Sequence, residues 1–348
     1  MKLSLMKSDI VISVVIPTYN RKRLLRKTIE SLANQTYPKS AYEVIIIDDG
    51  CTDGTGELVK EMIATFPMHL IYFRQENKGA SAARNNGIKK SKGQIIAFID
   101  DDCVAFDNWL KTIVESLKQN EFEGITGQTI SDIKPSFFVH NVILNSGIAN
   151  GTTNGYMVSH GTCNIAFRRR LFDEIGYFNE KIKRMEDAEF SWRININNKK
   201  ILFNSSMKVE HIPTYVSFIN NLKNTKVVQY DPYLFKIFPK DYKRLLISSW
   251  RITNYTYGFW RLASMILVYL MVVFLLNLSA DIILLGLSLF MVMYSLQGLH
   301  KVKKMDIYPS FRISAIDKFL FISFRWLIPL SFLIYLLKGS LKYKKLLI

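Results

Sequence analysis

The chain has 348 residues, of which 49% are hydrophobic and 22% are charged. This length excludes one small domain and suits a globular domain of about 200 residues followed by a further region. The three cysteines, Cys51, Cys103 and Cys163, show no CxxC spacing, so the sequence suggests neither a zinc site nor a disulfide framework. We therefore expect reduced thiols.

The net charge of +17 is unevenly distributed along the chain. Residues 213–348 contain 18 lysines and arginines against five acidic residues, and they also contain the long apolar runs. Basic residues beside apolar runs indicate a membrane surface with anionic lipids. No motif of nucleic-acid-binding proteins is present, so nucleic acid is not expected as a partner.

Over the first hundred residues, continuous apolar runs alternate with segments in which apolar residues recur at helical spacing. The runs predict strands at 10–16, 42–47, 69–73 and 94–99. The periodic segments predict helices at 23–34 and 55–66 and a third helix that opens after Gly79. This alternation predicts an α/β domain with a mostly parallel, doubly wound sheet. Residues 122–155 show weak periodicity, and we expect edge strands and a loop there.

Acidic residues follow two of the predicted strands. Asp48 and Asp49 come after the second strand, and the triplet 100–102 comes after the fourth. Ligands of such sheets bind beyond the carboxyl ends of the strands. Three adjacent carboxylates repel one another, and Mg²⁺ or Mn²⁺ carrying substrate phosphates would relieve that repulsion. The alternative is a solvated acidic turn, whereas a dinucleotide fold and a P-loop are excluded because neither glycine motif is present.

Four ordered motifs resemble those of the family 2 glycosyltransferases of GT-A fold. They are ISVVIPTYNR at 12–21, EVIIIDDGCTDGT at 43–55, NKGASAARNNGI at 77–88 and IIAFIDDDC at 95–103. The resemblance covers about residues 10–212 and implies a GT-A catalytic domain at 9–212. It also implies a nucleotide-sugar donor, a divalent metal ion and inversion at the anomeric carbon.

The resemblance further implies which residues bind the donor, a UDP- or GDP-sugar. These residues are Pro17, Tyr19, Asn20, Asp49, Arg84, Asp100 and Asp101. Tyr19 would stack on the base, Asp49 would accept a hydrogen bond from a base N–H, and Arg84 would lie near the base or phosphates. The alternatives are a packed turn aromatic for Tyr19 and a surface charge for Arg84.

The implied metal ligands are Asp102, Asp100 and His211. The ion would be Mn²⁺ or Mg²⁺, and an imidazole ligand would favour Mn²⁺. Asp102 is the expected direct ligand, with Asp100 nearer the ribose. Which two of the three aspartates act stays open, because the triplet allows either register. A structural or solvated role is the alternative for His211.

Glu186 and Asp187 open a predicted helix, where the helix dipole stabilises acidic side chains. The resemblance implies that this pair is the catalytic base element and that Asp187 is the base. A carboxylate within about 3 Å of a sugar hydroxyl can take its proton during attack on C1. The QxxRW element of processive relatives is missing, so we expect one sugar to be added per encounter.

The region after the predicted catalytic domain is expected to be helical and associated with a membrane. Residues 213–260 interleave aromatic and basic side chains, which is typical of interfacial helices, although ordinary packing helices are the alternative. Two charge-free runs at 262–280 and 282–299 predict a transmembrane hairpin within 261–299. Basic residues on both flanks predict cytoplasmic ends and a cytoplasmic catalytic domain.

The last segment, 300–348, is predicted to contain a basic loop, a third apolar helix and a basic tail. The apolar run is 319–337, and it contains Arg325. Because a charge within a span is costly, a re-entrant or interfacial helix is favoured over a third crossing.

Together these features predict an inverting, metal-dependent glycosyltransferase at the cytoplasmic face of the cell membrane. Its acceptor would be a hydroxyl of a lipid-linked saccharide or glycolipid. One alternative is a polyprenyl-phosphate glycosyltransferase that resembles the dolichol-phosphate mannose synthases, although its anionic acceptor would need no base. Another is a non-catalytic membrane scaffold.

Overall fold

A computed structural model describes most of the first 212 residues and two stretches of the remainder. The described residues are 10–118, 121–130, 152–153, 156–157, 161–212, 219–220, 223, 225–242 and 327–344. The chain forms two compact units, Met1–Asp132 with Val142–Pro213 and Ile133–Asn141 with Thr214–Ile348.

Four parallel strands form one half of the main sheet. They are β1 Ile12–Thr18, β2 Tyr42–Asp48, β3 His69–Arg74 and β4 Ile95–Phe98, in the order β3-β2-β1-β4. The helices between them are α1 Lys22–Ala33, α2 Thr55–Thr65 and α3 Ala80–Lys90. Thr18 pairs with Asp48, so the loops after these strands lie at one edge. The predicted mostly parallel sheet is confirmed.

The other half of the sheet is mixed and has the order β9-β6-β10-β5. Its elements are β5 Cys103–Ala105, α4 Trp109–Ser116, β6 Gly124–Ile130, β9 Ile165–Arg168 and β10 Ile201–His211. Strand β9 is antiparallel to β4 and β6, whereas β10 is parallel to β6 and antiparallel to β5. The expectation of edge strands at 122–155 is wrong for β6, which lies between β9 and β10. The short strands β7 Thr152–Thr153 and β8 Tyr156–Met157 pair with each other in a second, two-stranded sheet.

An aromatic core joins the strand before the acidic triplet to the helix that carries Glu186 and Asp187. Helices α5 Arg169–Ile175 and α6 Glu186–Ile196 cover this face of the sheet, whose core includes Phe98, Phe167, Phe172, Phe178 and Phe190. The rings of Phe178 and Phe190 stack at 4.6 Å, and Phe98 meets Phe178 edge-on at 5.5 Å. Such pairs each add about 1 kcal/mol beyond area burial, which fixes α6 relative to β4.

Helix α3 packs very closely on β1. A Cβ atom at Gly87 would lie only 2.3 Å from Val15 Cγ1, so no larger residue fits without displacement. The glycine in the third sequence motif therefore sets the distance of α3 from the sheet.

The second unit contains a 3₁₀ segment, Thr225–Tyr230, and three described helices. They are α7 Asp231–Ile237, α8 Pro239–Tyr242 and α9 Leu327–Tyr343. Helix α9 packs on α7 and the 3₁₀ segment, with Tyr343 and Tyr233 rings 5.2 Å apart. The predicted hairpin at 261–299 lies outside the described residues. Within the described part of the chain, no helix is long and apolar enough to cross a membrane.

Candidate functional site

The acidic triplet lies in the turn between β4 and β5, at the carboxyl edge of the sheet. Asp101 and Asp102 are each 4% exposed, whereas the side chain of Asp100 is 31% exposed. Burial raises the pKa of Asp101 to about 6 and also raises the pKa of Asp102. Thr18 Oγ1 donates a hydrogen bond of 2.8 Å to Asp101. These carboxylates are not a solvated turn, and their charge requires nearby cations.

Arg21 supplies the first cation. Its Nη1 donates to Asp101 Oδ1 at 3.0 Å and to Asp102 Oδ2 at 2.6 Å. Burial alone would lower the pKa of Arg21, but the two carboxylates raise it above its ordinary value. Arg21 ends the first sequence motif but is not among the predicted site residues.

Asn20 shapes the loop from which Arg21 projects. Its backbone has a φ of +52°, a left-handed conformation that asparagine tolerates better than most residues. Its side-chain oxygen accepts a hydrogen bond of 2.7 Å from Thr52 N, and its own N–H donates to Cys51 Sγ. The predicted donor-binding role of Asn20 stays a prediction, whereas its contacts here join the loops after β1 and β2.

His211 lies beside Asp102 because β5 and β10 are paired. Cys103 of β5 pairs with His211 of β10. The backbone oxygen of Asp102 accepts a hydrogen bond of 2.7 Å from Ile212 N. His211 Nε2 lies 3.5 Å from Asp102 Oδ1. His211 Nδ1 is buried and has no hydrogen-bond partner among the described residues. The structure thus brings together two of the three predicted metal ligands.

The chemistry of this cluster fits a divalent cation. Ligand atoms of Asp102, Cys103 and His211 all lie within 4.8 Å of one another. Carboxylate and imidazole ligands suit Mn²⁺, and Asp100 and Asp101 are adjacent in the same turn. Cys103 is fully buried, and its pKa is raised well above the ordinary value by its hydrogen bond with Cys163 and by burial. In the absence of a metal ion, Cys103 is therefore a protonated thiol.

Arg84 is the second cation of the site. Its Nη2 donates to Asp100 Oδ1 at 2.9 Å, and its Nη1 donates to Glu186 Oε1 at 2.8 Å. Burial would lower its pKa, but the two carboxylates raise it. Arg84 is only 4% exposed, so the alternative of a surface charge is wrong. Its predicted contact with the donor stays a prediction, because both Nη groups bind carboxylates here.

Asn85, the next residue of α3, holds the loop that leads to α6. Its Nδ2 donates to Phe178 O at 2.9 Å and to Glu180 Oε1 at 2.8 Å. Its Oδ1 accepts from Phe178 N at 2.9 Å. This role of Asn85 is not predictable from local sequence, because its partners lie more than 90 residues away in the chain.

The predicted catalytic pair opens α6 as expected. Met185 precedes it with a φ of +68°, a conformation that costs about 1–3 kcal/mol in a bulky residue. The Glu186 side chain is 13% exposed and is bound to Arg84. Asp187 is half-buried, and its Oδ1 accepts from Ala188 N at 2.8 Å.

The remaining predicted donor residues line the same edge. Asp49 is buried and accepts hydrogen bonds from Gln75 Nε2, Lys78 N and Gly79 N at 2.8–2.9 Å. These bonds anchor the loop before α3, so Asp49 already has a structural role. Tyr19 is 50% exposed, which excludes the alternative of a packed aromatic and leaves its ring face open to a ligand. Pro17 is half-buried within β1.

Residues 13–176 match the family described as glycosyl transferase family 2. A segment of 106 residues, 30% of this chain, is 40% identical to glycosyltransferase AglE of Haloferax volcanii and covers 35% of that protein. A segment of 209 residues, 59% of this chain, is 34% identical to an uncharacterized glycosyltransferase of Rickettsia bellii and covers 29% of it. The chain thus spans about a third of the length of these relatives.

The fold is also that of a solved enzyme structure. Mannosyltransferase PcManGT from Pyrobaculum calidifontis, in complex with GDP-Man and Mn²⁺, matches with a TM-score of 0.60. The match covers 96% of this chain and 86% of that chain at 16% sequence identity. At this identity the likeness concerns the fold alone, and it confirms the predicted GT-A-like α/β architecture.

Proposed function

We propose that this chain is a member of glycosyl transferase family 2, whose model residues 13–176 match, and that it transfers one sugar from a UDP- or GDP-sugar to an acceptor hydroxyl with inversion. The observation that carries the proposal is the Arg84 bridge between Asp100 and Glu186. It joins the acidic triplet to the Glu186–Asp187 element at one edge of the sheet. Sugar transfer needs both parts, because the diphosphate needs a cation and the hydroxyl needs a base.

Asp102 and His211 would hold a divalent cation, with Asp100 or Asp101 contributing from the same turn. When bound, the cation would neutralise the charge of the leaving nucleoside diphosphate. Four carboxylates of the site share only the two guanidiniums of Arg21 and Arg84, so negative charge is in excess and favours a cation. The mannosyltransferase of the same fold was solved with GDP-Man and Mn²⁺, which supports the same donor and metal classes.

Asp187 is the proposed base. It would accept the acceptor's hydroxyl proton as the oxygen attacks the anomeric carbon, on the face opposite the diphosphate. Glu186 is the weaker candidate for this role, because its Oε1 is bound by Arg84. Glu186 would instead orient the start of α6, so that the neighbouring carboxylate faces the acceptor.

The acceptor is proposed to be a hydroxyl of a lipid-linked saccharide or glycolipid at the cytoplasmic face of the cell membrane. The support is the sequence of the C-terminal half, with charge-free runs at 262–280 and 282–299 and basic flanks. Anchoring enzyme and acceptor in one bilayer would raise the effective acceptor concentration. A polyprenyl-phosphate acceptor is the second candidate, but it would leave Asp187 without a proton to remove.

A panel of nucleotide sugars tests the proposed donor class. The full chain in detergent is titrated with UDP- and GDP-sugars in the presence of Mn²⁺, and thermal stability and sugar transfer are measured. We expect one nucleotide to stabilise the protein and its sugar to be transferred. If no nucleotide sugar either stabilises the protein or is consumed, the proposed function is wrong.

A further inference from the structure

One nitrogen of Arg21 lies between the two buried aspartates of the triplet. Nη1 is 3.0 Å from Asp101 Oδ1 and 2.6 Å from Asp102 Oδ2. A single cationic atom that bridges oxygens of two different carboxylates occupies the kind of position that a metal ion takes. In the absence of metal, Arg21 therefore supplies the positive charge that these carboxylates require.

A divalent cation that takes Asp101 Oδ1 or Asp102 Oδ2 competes with Arg21 for these oxygens, whereas Asp102 Oδ1 faces His211. A Mg²⁺ ion binds carboxylate oxygen at about 2.1 Å and keeps most of its shell filled, so a guanidinium nitrogen 2.6 Å from Asp102 Oδ2 leaves it little space. Two cations that bridge the same pair also repel each other. Binding of the ion to Asp102 Oδ2 thus requires Arg21 to withdraw.

The structure makes Arg21 the cation that is able to move. Its side chain is 44% exposed, whereas that of Arg84 is 5% exposed and is bound by two carboxylates. Arg21 can regain hydration when it leaves, and the incoming cation would take over the charge of its two buried carboxylates. The Arg84 side chain has no comparable exposure to water, although its partner Asp100 is 31% exposed.

We propose that Arg21 is an internal counter-ion for the cation site: it holds Asp101 and Asp102 before metal binds, and the released guanidinium then pairs with the donor diphosphate. This inference rests on the proposed function. A guanidinium binds phosphate oxygens well, so the donor gives Arg21 a new partner when the metal takes its carboxylates. Metal and nucleotide should therefore strengthen each other's binding by the same factor.

The test is Mn²⁺ binding to the full chain, measured by the electron paramagnetic resonance signal of free Mn²⁺, with and without UDP or GDP. Without nucleotide, Arg21→Gln should bind Mn²⁺ roughly threefold to tenfold more tightly than the unmodified chain, since the exposed competitor is removed. The gain in Mn²⁺ affinity on adding nucleotide should shrink in the same variant. Arg21→Lys, which keeps the charge, should lie between the two.

Arg26→Gln is the matched control. Arg26 lies on α1, the helix that follows Arg21, its side chain is 50% exposed, and its contact with Glu30 is a long one of 3.9 Å. The Arg26→Gln substitution changes the net charge by the same amount as Arg21→Gln, and this variant should keep the Mn²⁺ affinity of the unmodified chain. If Arg21→Gln, folded by circular dichroism, binds Mn²⁺ no more tightly than Arg26→Gln, the inference is overturned.

The outcomes for the inference and for the proposed function are separable. Sugar transfer by the unmodified chain together with unchanged Mn²⁺ affinity in Arg21→Gln overturns the inference and leaves the function standing. Absence of Mn²⁺ binding in every variant, with nucleotide present, overturns the inference together with the metal assignment.

Discussion

Arg84 and Glu186 are 102 positions apart in the chain and form a partly buried ion pair of 2.8 Å. The other side of the same guanidinium binds Asp100. Helix α3 thus connects the turn that carries the acidic triplet with the helix that carries the proposed base. Asn85, the next residue, holds the loop before that helix through the backbone of Phe178.

The first prediction concerns the stability that depends on Arg84. Arg84→Gln leaves two carboxylates without their cation in a buried site, which should lower the free energy of unfolding by about 3–5 kcal/mol. Denaturant titration of the full chain, followed by tryptophan fluorescence, measures the loss. Adding Glu186→Gln should recover part of it, because one uncompensated charge is removed.

Arg170→Gln is the control for this loss. Arg170 pairs with Glu123 at 2.7 Å, but its side chain is 48% exposed, so its removal should cost less than about 1 kcal/mol. If Arg84→Gln and Arg170→Gln both lower the free energy of unfolding by the same small amount, the ion pairs of Arg84 do not stabilise the site.

The second prediction concerns the base. Asp187→Asn should lower the transfer rate by about 10²–10⁴-fold, because the amide cannot accept the hydroxyl proton. Nucleotide affinity should be unchanged, since the variant retains the implied donor residues. Asp173→Asn on α5 is the control, because this acid is exposed on the surface. Steady-state kinetics and nucleotide titrations measure both quantities, and full transfer by Asp187→Asn would refute the assignment.

The third prediction concerns Asn85 as a positioning residue. Asn85→Ala removes hydrogen bonds to Phe178 and Glu180 and should lower kcat while KM for the donor changes little. Loss of buried hydrogen bonds should also cost about 1–3 kcal/mol of stability. The neighbouring Asn86→Ala, which removes only a bond to Gln75, should have a smaller effect on kcat. A loss confined to KM would argue that Asn85 acts on donor binding instead.

The strands that carry the site could be predicted from the sequence because each contains a run of apolar residues. The expected bounds 10–16, 42–47, 69–73 and 94–99 differ from β1–β4 by two residues or fewer. Their parallel pairing places the acidic loops together, and this too follows from the strand–helix alternation.

The mixed half of the sheet could not be predicted in the same way. Strand β6 pairs in parallel with β10, whose residues come more than 70 positions later, so local periodicity contains no signal for its central place. The roles of Arg21 and Asn85 were missed for a similar reason: their partners are about 80 and 93 residues away. Such contacts depend on tertiary packing, whereas the motif acids are recognisable from their local pattern alone.

The central claim is that the triplet, with His211, is the cation site of a sugar transfer. The most direct measurement is transfer from the preferred nucleotide sugar after treatment with EDTA and after re-addition of Mn²⁺, in the unmodified chain and in Asp102→Asn. The account predicts that EDTA abolishes transfer, that Mn²⁺ restores it only in the unmodified chain, and that Asp102→Asn loses about 100-fold or more with Mn²⁺ present. Undiminished transfer in chelator, or by Asp102→Asn, would contradict it.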